Sequence, residues 1–238
     1  MNFSLLNGEF RPTTDSTGFL EAPCDLVMKT MKQWHAELRF REEIIEIRGA
    51  VGDALQALYP LETQQSREVI VPTQNGWTAY WSSNWRGTDC SGFLGYLHKR
   101  IGCRGLEVCH APQNLRRESG CSKGTWGATM LAILCPEAKS QLGYERVIAA
   151  ANDGGKWIFE AFGEPLDFED VSRYTARRVR DRFTPETLVN YLKHFNVHPF
   201  DDNFYMPDPQ QPAYLFQNLR LSRPGNRTYT CDEIQKTL

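Results

Sequence analysis

The feature that most restricts the fold of this chain is a pair of short strand-like runs joined by a tight-turn signal, and it occurs twice. REVIVP and GWTAYWSS flank Asn75-Gly76, and ERVIAAAN and KWIFEAF flank Asp153-Gly154-Gly155. The runs are β-branched and aromatic and too short for helices, while Asn and Gly accept the positive φ that a hairpin turn demands. Two antiparallel hairpins are therefore expected. In the second strand of the first, Trp77, Ala79 and Trp81 share one face, and Thr78, Tyr80 and Ser82 share the other. LEVCHAP and ATMLAILC read as further strands.

Helical spacing appears around these strands. Asp25 caps a long N-terminal helical region with apolar positions Val27, Met31, Trp34 and Leu38, then Ile44, Ile45, Val51, Leu55 and Leu58. Gly49 and Gly52 interrupt it and Pro60 ends it. Thr88 or Asp89 caps a second helix carrying Cys90, Phe93, Leu94, Leu97 and Ile101, which Gly102 ends. Thr184-Pro185-Glu186 starts a third, with Leu188, Tyr191, Leu192 and Phe195 as its apolar stripe. From Pro199 onward prolines recur, so the tail is expected to wrap the rest with short elements such as AYLFQNL. The order predicts an α+β fold in a single domain, residues 1–238, with a mostly antiparallel sheet, a polar lead over 1–24 and a wrapping tail over 199–238.

Composition bounds the function. With 238 residues, 41% of them hydrophobic and 12% aromatic, a full core can be buried. A net charge of −2 gives no field for gripping phosphate backbones, which argues against general nucleic-acid binding. No apolar run is long enough for a membrane span, and MNFSLLNGEF has no signal-peptide pattern, so a cytoplasmic protein is expected. The seven cysteines (Cys24, Cys90, Cys103, Cys109, Cys121, Cys135, Cys231) are odd in number and irregularly spaced, and read as reduced thiols packed as small hydrophobes.

Asp89-Cys90-Ser91-Gly92-Phe93 at a helix start resembles the nucleophile motif of the NlpC/P60 cysteine peptidases. Helix-terminal amides would favour a Cys90 thiolate. That family takes its base from a histidine on a downstream strand, and here those strands carry none. Of His35, His98, His110, His194 and His198, His98 lies about 12 Å along the same helix, and only His110 follows closely enough to form a dyad. No third residue can be named to orient it. Cys90 also falls on the apolar stripe of its helix, so a buried structural thiol is the main reading, with a Cys90–His110 hydrolase as the alternative.

Cys103, Cys109, His110 and Cys121 cluster, but without the paired C-x2-C spacing of zinc sites, and alternation aims Cys109 and His110 at opposite faces. Neither a metal nor a cofactor is expected, and P-loop, dinucleotide, serine-hydrolase and zincin motifs are absent. Two stretches offer partner contacts instead. One is Trp81, Trp85 and Arg86 at the end of the aromatic strand. The other is the basic run with Arg177, Arg178 and Arg180, whose bland reading is a solvated helix paired to Glu164, Asp167, Glu169 and Asp170.

GWTAYWSSNWRGTDCSGFLGYLHKRIGCRG, with residues 146–205, resembles a family of uncharacterised bacterial cytosolic proteins. Its members look like the small α+β immunity proteins that accompany polymorphic toxins. The resemblance implies a binding protein that neutralises a cognate protein toxin by direct contact. A non-catalytic structural or regulatory module is the third reading.

Overall fold

The computed structural model describes residues 3–118, 121–219, 226–230 and 233–234. In chain order its elements are β1 (Ser16–Leu20), α1 (Cys24–Glu37), β2 (Glu42–Ile47), α2 (Val51–Gln56), β3 (Leu61–Glu62), β4 (Arg67–Pro72), β5 (Thr78–Ser82), α3 (Ser91–Ile101), β6 (Gly105–Ala111), β7 (Arg116–Glu118), β8 (Cys121–Lys123), β9 (Ala128–Leu134), β10 (Tyr144–Asp153), β11 (Lys156–Phe162), α4 (Pro185–Leu192), β12 (Ala213–Asn218) and β13 (Thr228–Tyr229). Nine strands join one sheet in the order β11-β10-β9-β6-β1-β5-β4-β12-β2. Every neighbouring pair is antiparallel. Both expected hairpins form, with Asn75 at φ 64° and Gly154 and Gly155 at φ 60° and 106° in their turns.

The expected N-terminal helical region is not continuous. α1 stops at Glu37, Arg39 turns the chain at φ 59°, and Ile44 and Ile45 lie in β2. β2 pairs along its whole length with β12. The β-branched run and this long-range pairing outweigh the helical spacing that links Leu38 to Ile44 and Val51. β12 is the AYLFQN stretch of the expected wrapping tail, and it is an internal strand between β4 and β2. The polar lead contains β1, which lies at the middle of the sheet.

Alternation along the strands feeds two cores. On one side Phe19, Val69, Val71, Ala79, Trp81, Leu106, Val108 and Leu131 pack with α2, α4 and the segment around Phe204 and Tyr205. On the other, Leu20, Ile70, Tyr80, Tyr214 and Phe216 pack under α1 and α3. Tyr80 stacks on Phe93 of α3 at 4.0 Å between ring centroids. Trp34 of α1 stacks on Tyr96 of α3 at 4.7 Å. α4 starts as read: the Thr184 side chain accepts from the Thr187 N–H, and Pro185 takes the first helical position.

A buried ion pair fastens the segment after β11. The Arg146 and Glu169 side chains are 2% and 0% exposed and meet at 2.6 Å. Arg146 also donates to the carbonyls of Phe162 and Gly163, and Glu169 accepts from the Leu166 N–H and the Tyr174 hydroxyl. Every charged atom has a partner, the condition under which a buried pair is tolerated. Burial pushes the Glu169 carboxyl up, but Arg146 and the other donors outweigh it and hold it below its ordinary value.

Candidate functional site

Cys90 stands where a helix-start nucleophile would stand. Asp89 stands just before α3 and accepts the Ser91 N–H at 2.9 Å, while Cys90 occupies the N-cap position without a side-chain cap bond. Cys90 itself is 0% exposed, and its Sγ rests on Gly18 of β1, where an added Cβ would come within 3.3 Å of it. Its polar neighbour is Ser16 Oγ at 3.9 Å. Burial first, and then the Glu107 carboxylate, push the thiol well above its ordinary value. The helix-terminal amides that favour a thiolate are thus overridden by desolvation and by nearby acids.

The five histidines are all placed, and none lies within hydrogen-bond range of Cys90. On β6, Glu107 and Cys109 point to the α3 side while Val108 joins the opposite core. His110 therefore faces away from Cys90. It packs edge-on with Phe3 and Phe200 and lies 3.2 Å from Thr129 Oγ1. The proposed Cys90–His110 pair is not brought together, for the alternation that also separates Cys109 from His110. His98 is buried with Nδ1 2.6 Å from the Leu94 carbonyl. His35 lies between two carboxylates, Nδ1 2.6 Å from Glu42 and Nε2 3.4 Å from Glu68, and ties α1 to β2 and β4. His194 stacks on Phe168, and His198 meets Phe204 edge-on.

Among the described residues no group of three His, Cys, Asp or Glu is arranged to hold a metal. Cys24, Cys90, Cys103, Cys109 and Cys135 are unbridged. Cys231 and the Cys121 side chain lie outside what is described.

A cleft of about 620 Å³ opens where the loop after β5 meets β6 and the hairpin beyond it. Asp15, Trp85, Arg86, Cys109, Trp126 and Ile234 line it. The loop is pinned by Thr88, whose Oγ1 donates to the Thr13 carbonyl at 2.8 Å and accepts from the Ser82 N–H. Gly87 has φ 109°, and a Cβ there would come within 3.0 Å of the Pro12 carbonyl, so only glycine fits this bend. The bend presents Trp85 and Arg86 at the cleft mouth. Trp85 stacks on Tyr229 at 5.0 Å, and the Arg86 guanidinium sits 5.1 Å over the Trp85 ring. On the floor, Arg11 grips Asp15 at 2.6 Å and reaches Thr125. Burial, only partly offset by Arg11, raises the Asp15 carboxyl, and burial lifts the Cys109 thiol to about 12. The cleft therefore offers an aromatic and cationic rim over a floor with no activated group.

The other expected contact residues divide. Trp81 is in the core, 0% exposed, its Nε1 donating to Thr17 Oγ1 at 3.0 Å, so it is not at a surface. β5 is covered on both faces, Trp77, Ala79 and Trp81 entering one core and Tyr80 the other. Arg177, Arg178 and Arg180 are exposed but lie on and between two 3-10 turns, Val171–Thr175 and Val179–Asp181, rather than on a helix. Arg180 pairs weakly with Asp181 at 3.7 Å, and Glu169, expected beside this run, is held by Arg146 instead. Trp126 and Cys109 were not singled out as site residues from the sequence. The Trp126 signal is a lone tryptophan between glycines, which reads equally as a turn.

The chain matches no family model, no curated protein and no solved structure. No described helix is long and apolar enough to cross a membrane.

Proposed function

We propose that this chain is a binding protein of the immunity type, which neutralises a cognate protein toxin by stoichiometric contact. The observation that carries this reading is the Trp85–Arg86–Tyr229 stack at the mouth of the cleft. Tryptophan, tyrosine and arginine are the residues from which contact hot spots are built, and a preordered stack loses little entropy on binding. The sealed Cys90 thiol fits the same reading, because contact inhibition has no use for a nucleophile.

The test is co-expression with the toxin that this reading assigns to a neighbouring gene. Wild type and Cys90→Ala are both expected to restore growth and to bind the toxin one to one, whereas Arg86→Ala with Trp85→Ala weakens binding at least tenfold. Protection at far less than one molecule per toxin, abolished by Cys90→Ala in a folded protein, would overturn the reading in favour of a cysteine hydrolase.

A further inference from the structure

The α3 side of the sheet is covered along only part of its width. Pairing carries one row from Glu107 through Ala132 and Val147 to Phe162, and the next from Cys109 through Met130 and Ala149 to Glu160. α3 packs on β1, β6 and β9, and the core beneath it reaches β10 at Tyr144, the first residue of that strand. Beyond β9 this face lies open: Ile158 and Phe162 are 39% and 56% exposed. The floor between them is alanine, valine and methionine, roughly 14 Å across four strands. It runs into the cleft through Cys109 and Ala111, which line both.

An open apolar face of this kind marks an interaction surface. Its charge says what fits. Glu107 and Glu160 make no ion pair with any described residue, and Asp89, whose carboxylate is taken up by Ser91, adds a third negative charge beside Glu107. A second copy of this chain is a poor occupant, because a two-fold contact sets the same patch against itself and would bring these carboxylates together. A partner with the opposite charge gains where a copy loses.

We propose that this open half-face is the docking surface for the partner protein, which lays a segment with aliphatic and basic side chains across β6, β9, β10 and β11. Its apolar groups rest on the alanine floor and a lysine or arginine lies between Glu107 and Glu160. This inference rests on the reading of the chain as a toxin-binding protein and identifies where, and with what chemistry, the toxin is held.

The experiment titrates the toxin that the proposed function assigns to a neighbouring gene, purified and catalytically disabled, into wild type, Ala149→Arg, Glu160→Lys and Leu26→Glu. Leu26 is exposed on α1, away from the floor. Wild type and Leu26→Glu are expected to bind equally, Ala149→Arg at least 100-fold more weakly, and Glu160→Lys at least tenfold more weakly with a shallower salt dependence. Glu160 is exposed, so its variant keeps the test informative if Ala149→Arg fails to fold. Equal binding by all four proteins places the contact elsewhere and overturns this inference while leaving the binding function standing. A toxin that does not bind wild type overturns both. A dimer in sedimentation that Glu160→Lys tightens or Ala149→Arg splits makes a second copy the occupant and overturns the inference. Removal of residues 235–238, which follow Ile234 at the cleft, is expected to leave affinity unchanged. A marked gain on removal makes that tail the occupant, with the same consequence.

Discussion

One face of the sheet is built in two ways. Under α1 and α3 the strands present Ile70, Tyr80, Tyr214 and Phe216, large side chains that need cover and have it. From β9 to β11, past Leu134 and Tyr144 at the edge of that core, the same face presents Met130, Val147, Ala149 and Ala151, with the exposed Ile158 and Phe162 on the outermost strand. Exposed apolar area costs about 25 cal/mol per Å², so small residues keep an uncovered floor tolerable in the free protein. The carboxylates repeat the contrast. Glu169, on the opposite side of the sheet, is enclosed with Arg146, whereas Glu107 is half-buried with no cation, and burial followed by Asp89 raises its carboxyl. The closed regions are finished structures, and the open one is where the proposed partner would rest.

The largest effects are expected where the structure is closed. Glu169→Ala leaves Arg146 buried and unpaired and should cost about 3–5 kcal/mol, read by urea denaturation. Phe93→Ala removes the ring stacked on Tyr80 and should cost about 3–5 kcal/mol. By contrast, Phe162→Ser on the open strand should stay within about 0.5 kcal/mol of wild type. A loss for Phe162→Ser comparable with that for Phe93→Ala would mean that the open half is covered after all. Cys90→Ser, placing a hydroxyl against Gly18, should cost about 1–3 kcal/mol.

The two carboxylates should also differ in their pH behaviour. Glu169 titrates below its ordinary value of 4.5 in the folded chain, so its contribution is present above that value and is lost as pH falls through the lower, folded value. Glu107 titrates above 4.5, so the fold is favoured relative to the ionised state below 4.5 and loses that advantage as pH rises through the raised value. Glu107→Gln should therefore stabilise the protein at neutral pH, with the gain vanishing in acid. A Glu107→Gln protein less stable than wild type at pH 7 would indicate a favourable partner for that carboxylate within the chain.

Much of this architecture was legible because its signals are local. The two hairpins, the Thr184 cap and the Gly102 stop each depend on a few neighbouring residues, and all form, whereas the N-cap of α3 falls on Cys90 rather than on Thr88 or Asp89. β2 and β12 were not legible, because their partners lie far along the chain and the spacing of Ile44 and Ile45 also fits a helix. At the site, Trp85 and Arg86 lie at the cleft mouth, while Trp81 turns inward with the strand's alternation. The DCSGF motif was legible as a helix start, and the apolar stripe of that helix already turned Cys90 inward; what no local signal showed is that β1 seals it at Gly18. The open floor left one local trace, the run Ala149-Ala150-Ala151, an unusual choice for a strand.

The most direct test is a hydroxyl-radical footprint of the chain alone and in complex with the proposed toxin partner. In the free protein, Met130, Ile158 and Phe162 should oxidise readily while Phe93 and Tyr80 stay protected. On binding, the first three should become protected several-fold, with Tyr96 on α3 unchanged. Protection concentrated at Tyr96, with Met130, Ile158 and Phe162 oxidised as before, would contradict the account.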